Sequence, residues 1–493
     1  MSKHHRSAAA LCLAAGFLNP ALAADAGELQ QLRQEIDAVK ASYEARMLAL
    51  ERRLAALQPD GGTATAAPAS TAFTAPVTAN AGAAPPAAPP PAEPPAPSYA
   101  AEPASASAAA PSSASAFNPA VSVILNGTYA NLSHDPATYR LQGFIPSGGD
   151  AGPGPRGFSL GESEIGLAAS IDPQYSGHLT FSLTGDDRIS VEEALFERQG
   201  AFDGGTLKAG RFLSAIGYLN SQHAHAWDFV DAPLAYQAFF GGQSKTDGLQ
   251  LRWLAPTERF VELGAEAGAG NTFPGAGSRN GAGSVALFGH VGDDWGDSAS
   301  WRAGLSYLRS RATDRSYSDS NAAGQPVTDA YTGSSQTWVL DGIYKWAPGG
   351  NATRTNLKLQ GEYIQRREDG RLAYDVSGVD ASGDYRSAQS GWYLQAVYQF
   401  MPLWRAGLRY DRLDSGTPTL GVVNAGAASA ADFSLLQTAK PSRGTLMLDY
   451  TPSEFSRFRL QLADDKSNPA AGSDRQLFLQ YIVSLGAHGA HSF

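Results

Sequence analysis

From Pro119 onward apolar and polar side chains alternate with a period of two. Val121, Val123, Leu125, Gly127 and Tyr129 form one row, with Ser122, Asn126 and Thr128 opposite. A strand points successive side chains to opposite faces, so this segment predicts a strand with one greasy and one wet side. The rows recur at Ile165/Leu167/Ala169/Ile171, Leu179/Phe181/Leu183, Ala194/Phe196, Leu207/Ala209, Leu249/Leu251/Trp253, Val261/Leu263/Ala265 and Val285/Leu287/Val291. They continue at Trp301/Ala303/Leu305/Tyr307, Trp338/Leu340/Tyr344, Leu357/Leu359/Tyr363, Trp392/Leu394/Ala396/Tyr398 and Trp404/Ala406/Leu408/Tyr410. Leu446/Leu448/Tyr450, Phe458/Leu460/Leu462 and Leu477/Leu479/Tyr481/Val483/Leu485 complete a set of sixteen. An even set of segments of about ten residues, apolar on one face only, is the pattern of a closed antiparallel β-barrel in a membrane.

The connections support that count. Asp172-Pro173-Gln174, Gly200–Gly204, Ala255-Pro256-Thr257, Gly292–Ser298, Pro348–Ala352, Met401-Pro402 and Pro452-Ser453 are short. Between them lie longer stretches at 132–159, 184–189, 213–245, 269–282, 311–334, 367–388, 414–440 and 465–474. Membrane barrels alternate short turns on one side with long loops on the other in this way. Trp301, Trp338, Trp392 and Trp404 near segment starts, with Tyr307, Tyr363, Tyr398 and Tyr410 near ends, suit the two interfaces. The third long loop, 213–245, is too long and aromatic for a simple turn, and is expected to fold inward as a constriction.

The chain before residue 117 differs in kind. Lys3 and Arg6, an apolar core Ala8–Phe17 and the small residues Ala21-Leu22-Ala23 predict a secretory signal peptide over 1–23. Its removal takes Cys12 with it and moves the net charge from −10 to −12, which argues against a nucleic-acid partner. Residues 24–58 predict a short coiled-coil helix, with Leu29, Leu32, Ile36, Val39 and Tyr43 at 3–4 spacing and Met47, Leu50, Leu54 and Leu57 resuming after a stutter. Residues 59–116 are Ala, Pro, Ser and Thr with almost no charge, a composition that predicts a disordered spacer. The fold class expected is therefore an all-β transmembrane barrel of sixteen antiparallel strands over 117–493, behind a helix and a linker.

Parity assigns the lumen. Arg405, Arg409, Arg443, Arg457 and Arg459, joined by Lys358, predict a basic ladder on one wall. Glu193 and Glu197, with Glu162 and Glu164 nearby, predict an acidic wall across from it, and the loop adds Asp228 and Asp231. Facing rows of opposite charge would set up a transverse field that sorts solutes by sign. The bland alternative is that these charges pair with one another inside a wet barrel. His223 and His225 share one face of an extended segment and, with Asp228 and Asp231 following, could form a transient zinc contact. No resident cofactor and no catalysis are expected, because His134, His178 and His290 are dispersed and no Ser/His or paired-acid constellation accompanies them.

The terminal Phe493 after an alternating strand is similar to the assembly signal of bacterial outer-membrane proteins. The architecture and the inward third loop resemble the porin superfamily, in particular its phosphate-selective type. GRFLSAIGYLNSQHAHAWDFVDAPLAYQAFFGG and SLGAHGAH resemble barrels labelled zinc-regulated TonB-dependent outer membrane receptors. The resemblance implies passive diffusion of small hydrophilic or anionic solutes through an outer-membrane channel, with a zinc-responsive uptake barrel as the alternative. It also implies a homotrimer, assembled through the barrel and residues 28–57, with helix and linker in the periplasm.

Overall fold

A computed structural model describes residues 119–148, 151–185 and 188–486. The predicted signal peptide, helix and linker, and the ending with His488, His491 and Phe493, lie outside the described residues.

The strands are β1 (Ala120–Leu132), β2 (Gly157–Leu160), β3 (Ser163–Ser170), β4 (Tyr175–Leu183), β5 (Ile189–Gln199), β6 (Gly205–Leu213), β7 (Lys245–Leu254), β8 (Phe260–Gly268) and β9 (Ser284–Trp295). The second half holds β10 (Ala299–Ser320), β11 (Pro326–Trp346), β12 (Asn356–Tyr374), β13 (Ala381–Met401), β14 (Trp404–Asp414), β15 (Thr419–Leu420), β16 (Ser442–Ser453), β17 (Ser456–Lys466) and β18 (Asp474–Gly486). Every pairing is antiparallel, and β1 closes on β18 from Ser122 opposite Gly486 to Leu132 opposite Gln476. The short β2 and β3 lie end to end along β1, and the two-residue β15 pairs with the outer end of β13, continuing the wall position of β14. The ring therefore has sixteen wall positions, as the alternation predicts. Closure of β1 on β18 leaves no open edge strand in the ring, so across the apolar band backbone N–H and C=O groups pair between strands where lipid offers no partner.

The outward rows are the predicted apolar ones. Leu394, Leu408 and Leu446 keep between 56% and 58% of their surface uncovered by protein, which is the lipid-facing band. Trp404, Tyr450, Phe458 and Tyr481 are cross-strand neighbours whose ring centroids lie 4.7, 6.4 and 4.3 Å apart, a girdle at the short-turn end. A second girdle includes the pair Tyr307–Trp338 at 4.6 Å and the pair Trp392–Tyr410 at 5.7 Å.

Two predicted long loops are not loops. The stretches 311–334 and 367–388 continue as strand, so β10 to β13 run 22, 21, 19 and 21 residues with short turns at 321–325 and 375–380. Beyond the second girdle the alternation persists with its faces exchanged. Tyr317, Val327, Tyr331, Leu372 and Tyr385 point inward and are buried, while Arg309, Arg311, Ser382, Asp384 and Arg386 point outward. Outside the membrane the surroundings are water, so apolar side chains gain by turning into the barrel. There they pack with Ile145, Val422, Phe433, Leu435 and Leu436 from two other loops.

Candidate functional site: the third loop inside the barrel

Residues 214–244 leave the wall after β6 and return at β7. Asn220 staples the base of this loop: its Nδ2 donates to the carbonyls of Ser214 (2.7 Å) and Ser244 (2.9 Å), and its Oδ1 accepts from the N–H of Ser244 (2.7 Å). Further along, Pro233 caps a short helix, α1 (Leu234–Phe240), which ends at Gly241 in the left-handed conformation (φ 69°) that glycine adopts without penalty. All seven helical residues are buried. They pack with Phe144, Ala286, Leu308, Val339, Ile364, Tyr393 and Leu413, which come from the first loop and from β9 to β14. A largely apolar helix inside a barrel needs apolar wall residues around it, and here the lumen supplies them, while the Gln237 amide accepts from the Tyr139 hydroxyl (2.9 Å) and donates to Ala232 O (2.9 Å).

A backbone taken into the lumen must bond its amides and carbonyls there. Wall acids and amides accept the loop's N–H groups. Glu266 takes Ala215 (2.8 Å), Glu362 takes Leu219 (2.9 Å), Gln461 takes Val230 (2.9 Å) and Asp411 takes Leu234 (2.9 Å). Wall arginines donate to its carbonyls. Arg457 reaches His225 O (2.5 Å), Arg459 reaches Trp227 O (2.9 Å), Arg409 reaches Asp231 O (2.8 Å) and Arg443 reaches Ala232 O (2.8 Å). Arg302 on β10 approaches Gly217 O at 3.3 Å. With the histidines described below, the loop is bonded to β3, β5, β8, β10, β12, β14, β16 and β17. It crosses the lumen from wall to wall.

The loop carboxylates complete this attachment. Asp228 lies 2.6 Å from Lys358 and 3.4 Å from Arg405, and accepts from Gln395 (3.0 Å). Asp231 bonds Arg409 (2.9 Å), Arg443 (2.5 Å) and Gln461 (3.1 Å). All six predicted basic residues point inward, yet the structure gives them partners. Asp449 holds Arg405 (2.6 Å) and Arg459 (2.8 Å), Asp411 holds Arg409 (3.0 Å), and Asp465 lies 3.7 Å from Arg443. Asp411, Asp449 and Asp465 share the parity of the arginines on their own strands, so the alternation already points these partners inward.

On the opposite wall the inward acids include Glu193 and Glu197, as parity predicts. Glu197 faces Arg252 (3.6 Å) and Lys208 (4.0 Å). Glu192 was missed. The register of β4 against β5 slips between Thr180 and Phe181, so Thr180 faces Glu193 while Phe181 faces Val191. This bulge turns both glutamates inward and spares Glu192 a costly position toward lipid.

The expected four-residue metal set divides. His223 and His225 meet wall glutamates, whereas Asp228 and Asp231 meet the arginines. His223 Nδ1 lies 3.2 Å from Glu192 and 3.3 Å from Glu164, and its Nε2 lies 3.2 Å from Glu193. His225 Nδ1 lies 2.7 Å from Glu164. Imidazole and carboxylate together suit a divalent transition metal, so donor chemistry fits on this side and not around Asp228 or Asp231.

Gly217 marks the loop's tightest passage. Its φ is 69°, and a Cβ there would collide with the Glu362 carboxylate and the Tyr236 hydroxyl, which are themselves bonded at 2.8 Å. Gly217→Ala is expected to dislodge this part of the loop without unfolding the wall. Chymotrypsin should then cut among Tyr218, Trp227 and Phe229 in the variant while the parent resists. Equal resistance in both would mean that the passage is not tight.

No protein-family model matches the chain. An uncharacterized protein of Aquifex aeolicus is 28% identical over 354 residues, which cover 69% of this chain and 70% of that protein. Among solved structures, a loop-deleted OmpT, an outer membrane protein of Vibrio cholerae, has a TM-score of 0.46 at 11% identity, covering 74% of this chain and 99% of its own. An anion-selective porin from Comamonas acidovorans has a TM-score of 0.45 at 14% identity, with coverage of 74% and 99%. The outer membrane channel DcaP of Acinetobacter baumannii has 0.41 at 12%, with coverage of 74% and 97%. The chain itself is a closed ring of sixteen antiparallel wall strands whose third long loop is carried inward.

Proposed function

We propose that this barrel is an outer-membrane channel for small hydrophilic solutes in which residues 214–244 act as an internal plug. The observation that carries the reading is the attachment of that loop around the circumference. A loop that merely narrows a pore lies along one wall. This one is bonded from β3 to β17 and carries a buried apolar helix across the lumen. Solute passage then depends on how readily the loop yields.

The charge arrangement argues against a preference for anions. Six cations (Arg405, Arg409, Arg443, Arg457, Arg459, Lys358) meet five carboxylates (Asp228, Asp231, Asp411, Asp449, Asp465) on one side. Across from them stand six glutamates (164, 192, 193, 197, 262, 266) with three permanent cations, Lys208, Lys245 and Arg252. On these counts the arginine side is near balance and the other side acidic, while between them on β10 to β12 Arg302, Arg315 and Arg366 stand with Asp341, Glu362 and Glu368. Rings of charge select by sign, so weak cation preference is expected. Reversal potentials under a KCl gradient in planar bilayers test this. Arg405→Ala combined with Arg409→Ala should strengthen cation selectivity, and a strongly anion-selective parent would sink the reading.

A further inference from the structure

The cluster around His223 and His225, which bonds the loop to β3 and β5, differs in chemistry from the loop's other attachments. Elsewhere the loop is held by wall arginines on its carbonyls, wall acids on its amides, and wall cations on Asp228 and Asp231. Here two imidazoles and three carboxylates converge from separate elements: the loop, β3 and β5. We propose that Glu164, His223 and His225, backed by Glu192 and Glu193, form a site for a first-row divalent transition-metal ion that latches the first half of the loop to the wall. The latch rests on the reading of that loop as a plug, whereas the metal site itself does not.

Geometry supports the donor set. One ligand atom from each of Glu164, His223 and His225 can be chosen so that all lie within 4.8 Å of one another. Two ligands of a zinc ion at about 2.0–2.1 Å each are at most about 4.2 Å apart, so small side-chain rotations bring the three into range. The imidazole rings are stacked, 5.7 Å between centroids and 26° from parallel, both turned toward the wall. The turn that carries them, Ala224–Ala226, is fixed on both sides: Trp227 Nε1 donates to Gln222 O (2.9 Å), and Arg457 donates to His225 O (2.5 Å). Ligands held this way need little reordering on binding.

Charge supports it as well. Glu164 and Glu192 are 3% and 0% exposed, and Glu193 is close by. Glu192 Oε1 is buried without a hydrogen bond and faces Lys245 Nζ at 3.5 Å, while its other oxygen meets His223. Three carboxylates at one point repel each other unless cations intervene, and a dication between them and the imidazoles supplies that charge. Mixed nitrogen and oxygen donors favour zinc, cobalt, nickel or copper over magnesium or calcium, which take oxygen alone.

The test uses the full chain, without an affinity tag, refolded in detergent and titrated with zinc by calorimetry and with cobalt by visible absorption. One ion per chain is expected, with a cobalt spectrum of mixed nitrogen and oxygen ligation. His223→Gln and Glu164→Gln should each weaken zinc binding by more than the roughly 10–100-fold that outer-shell changes cost, while His134→Gln in an outer loop leaves it intact. Should either variant fail to fold, the cobalt spectrum of the parent decides the ligand type. Absence of binding in the parent, or binding that survives both substitutions, overturns the site. Zinc should also protect 214–244 from chymotrypsin, and binding without protection overturns the latch. The conductance of Asp231→Ala, taken without metal, reports on the plug alone, so the two failures are distinguishable.

Discussion

Asp231→Ala is expected to raise single-channel conductance several-fold while leaving the barrel folded. Asp231 is the point where the loop grips β14, β16 and β17 at once, through Arg409, Arg443 and Gln461. Arg409 and Arg443 are 1% and 2% exposed, so removing their shared carboxylate strands two guanidinium groups in a dry setting. Breaking a buried pair from one side costs about 3–5 kcal/mol, partly offset here because Asp411 still faces both arginines. That cost falls on the attached loop and not on the wall, whose ladder hydrogen bonds do not involve it. The loop therefore detaches before the barrel opens. Asp231→Asn keeps acceptor and shape and should produce a smaller rise. Planar-bilayer recording separates the outcomes, and a conductance equal to the parent's in Asp231→Ala would refute the plug.

Leu408→Arg carries the second large effect, on the membrane face. Leu408 lies on β14 between the girdle residues Trp404 and Tyr410, beside Ala396 and Leu446 on the neighbouring strands. A charge there faces hydrocarbon, and arginine near the mid-plane of a barrel costs about 2–4 kcal/mol. Ala388→Arg tests the contrast. Ala388 also points outward, but lies on β13 beyond Trp392, where the outer face has turned polar, and the change should stay within about 0.5 kcal/mol. Urea titration of refolding into lipid vesicles measures both. Equal losses would mean that the lipid boundary does not run between those positions.

Wall residues were legible one by one because lipid and water impose their rule locally. Leu408 outward and Arg409 inward follow from parity within a single strand, and the sixteen segments follow from the same rule applied along the chain. Where the rule changed its terms, parity misled. Tyr317 and Tyr331 continue the alternation outside the membrane, with the apolar face turned in, so their segments read as loops. One bulged residue was enough to hide Glu192.

The sequence by itself determined the number of strands, which face meets lipid and which loop is long enough to enter. Only the tertiary structure decided where that loop goes and what the charges do. Asp231 and Arg443 are 212 residues apart, and Val230 and Gln461 are 231 apart. Such partners meet because the ring closes, and closure is not written in any short window of sequence. The arginines that parity offered as a ladder for solutes are engaged by the protein's own carbonyls and carboxylates, because a backbone drawn into the barrel must satisfy its polar groups before any solute arrives.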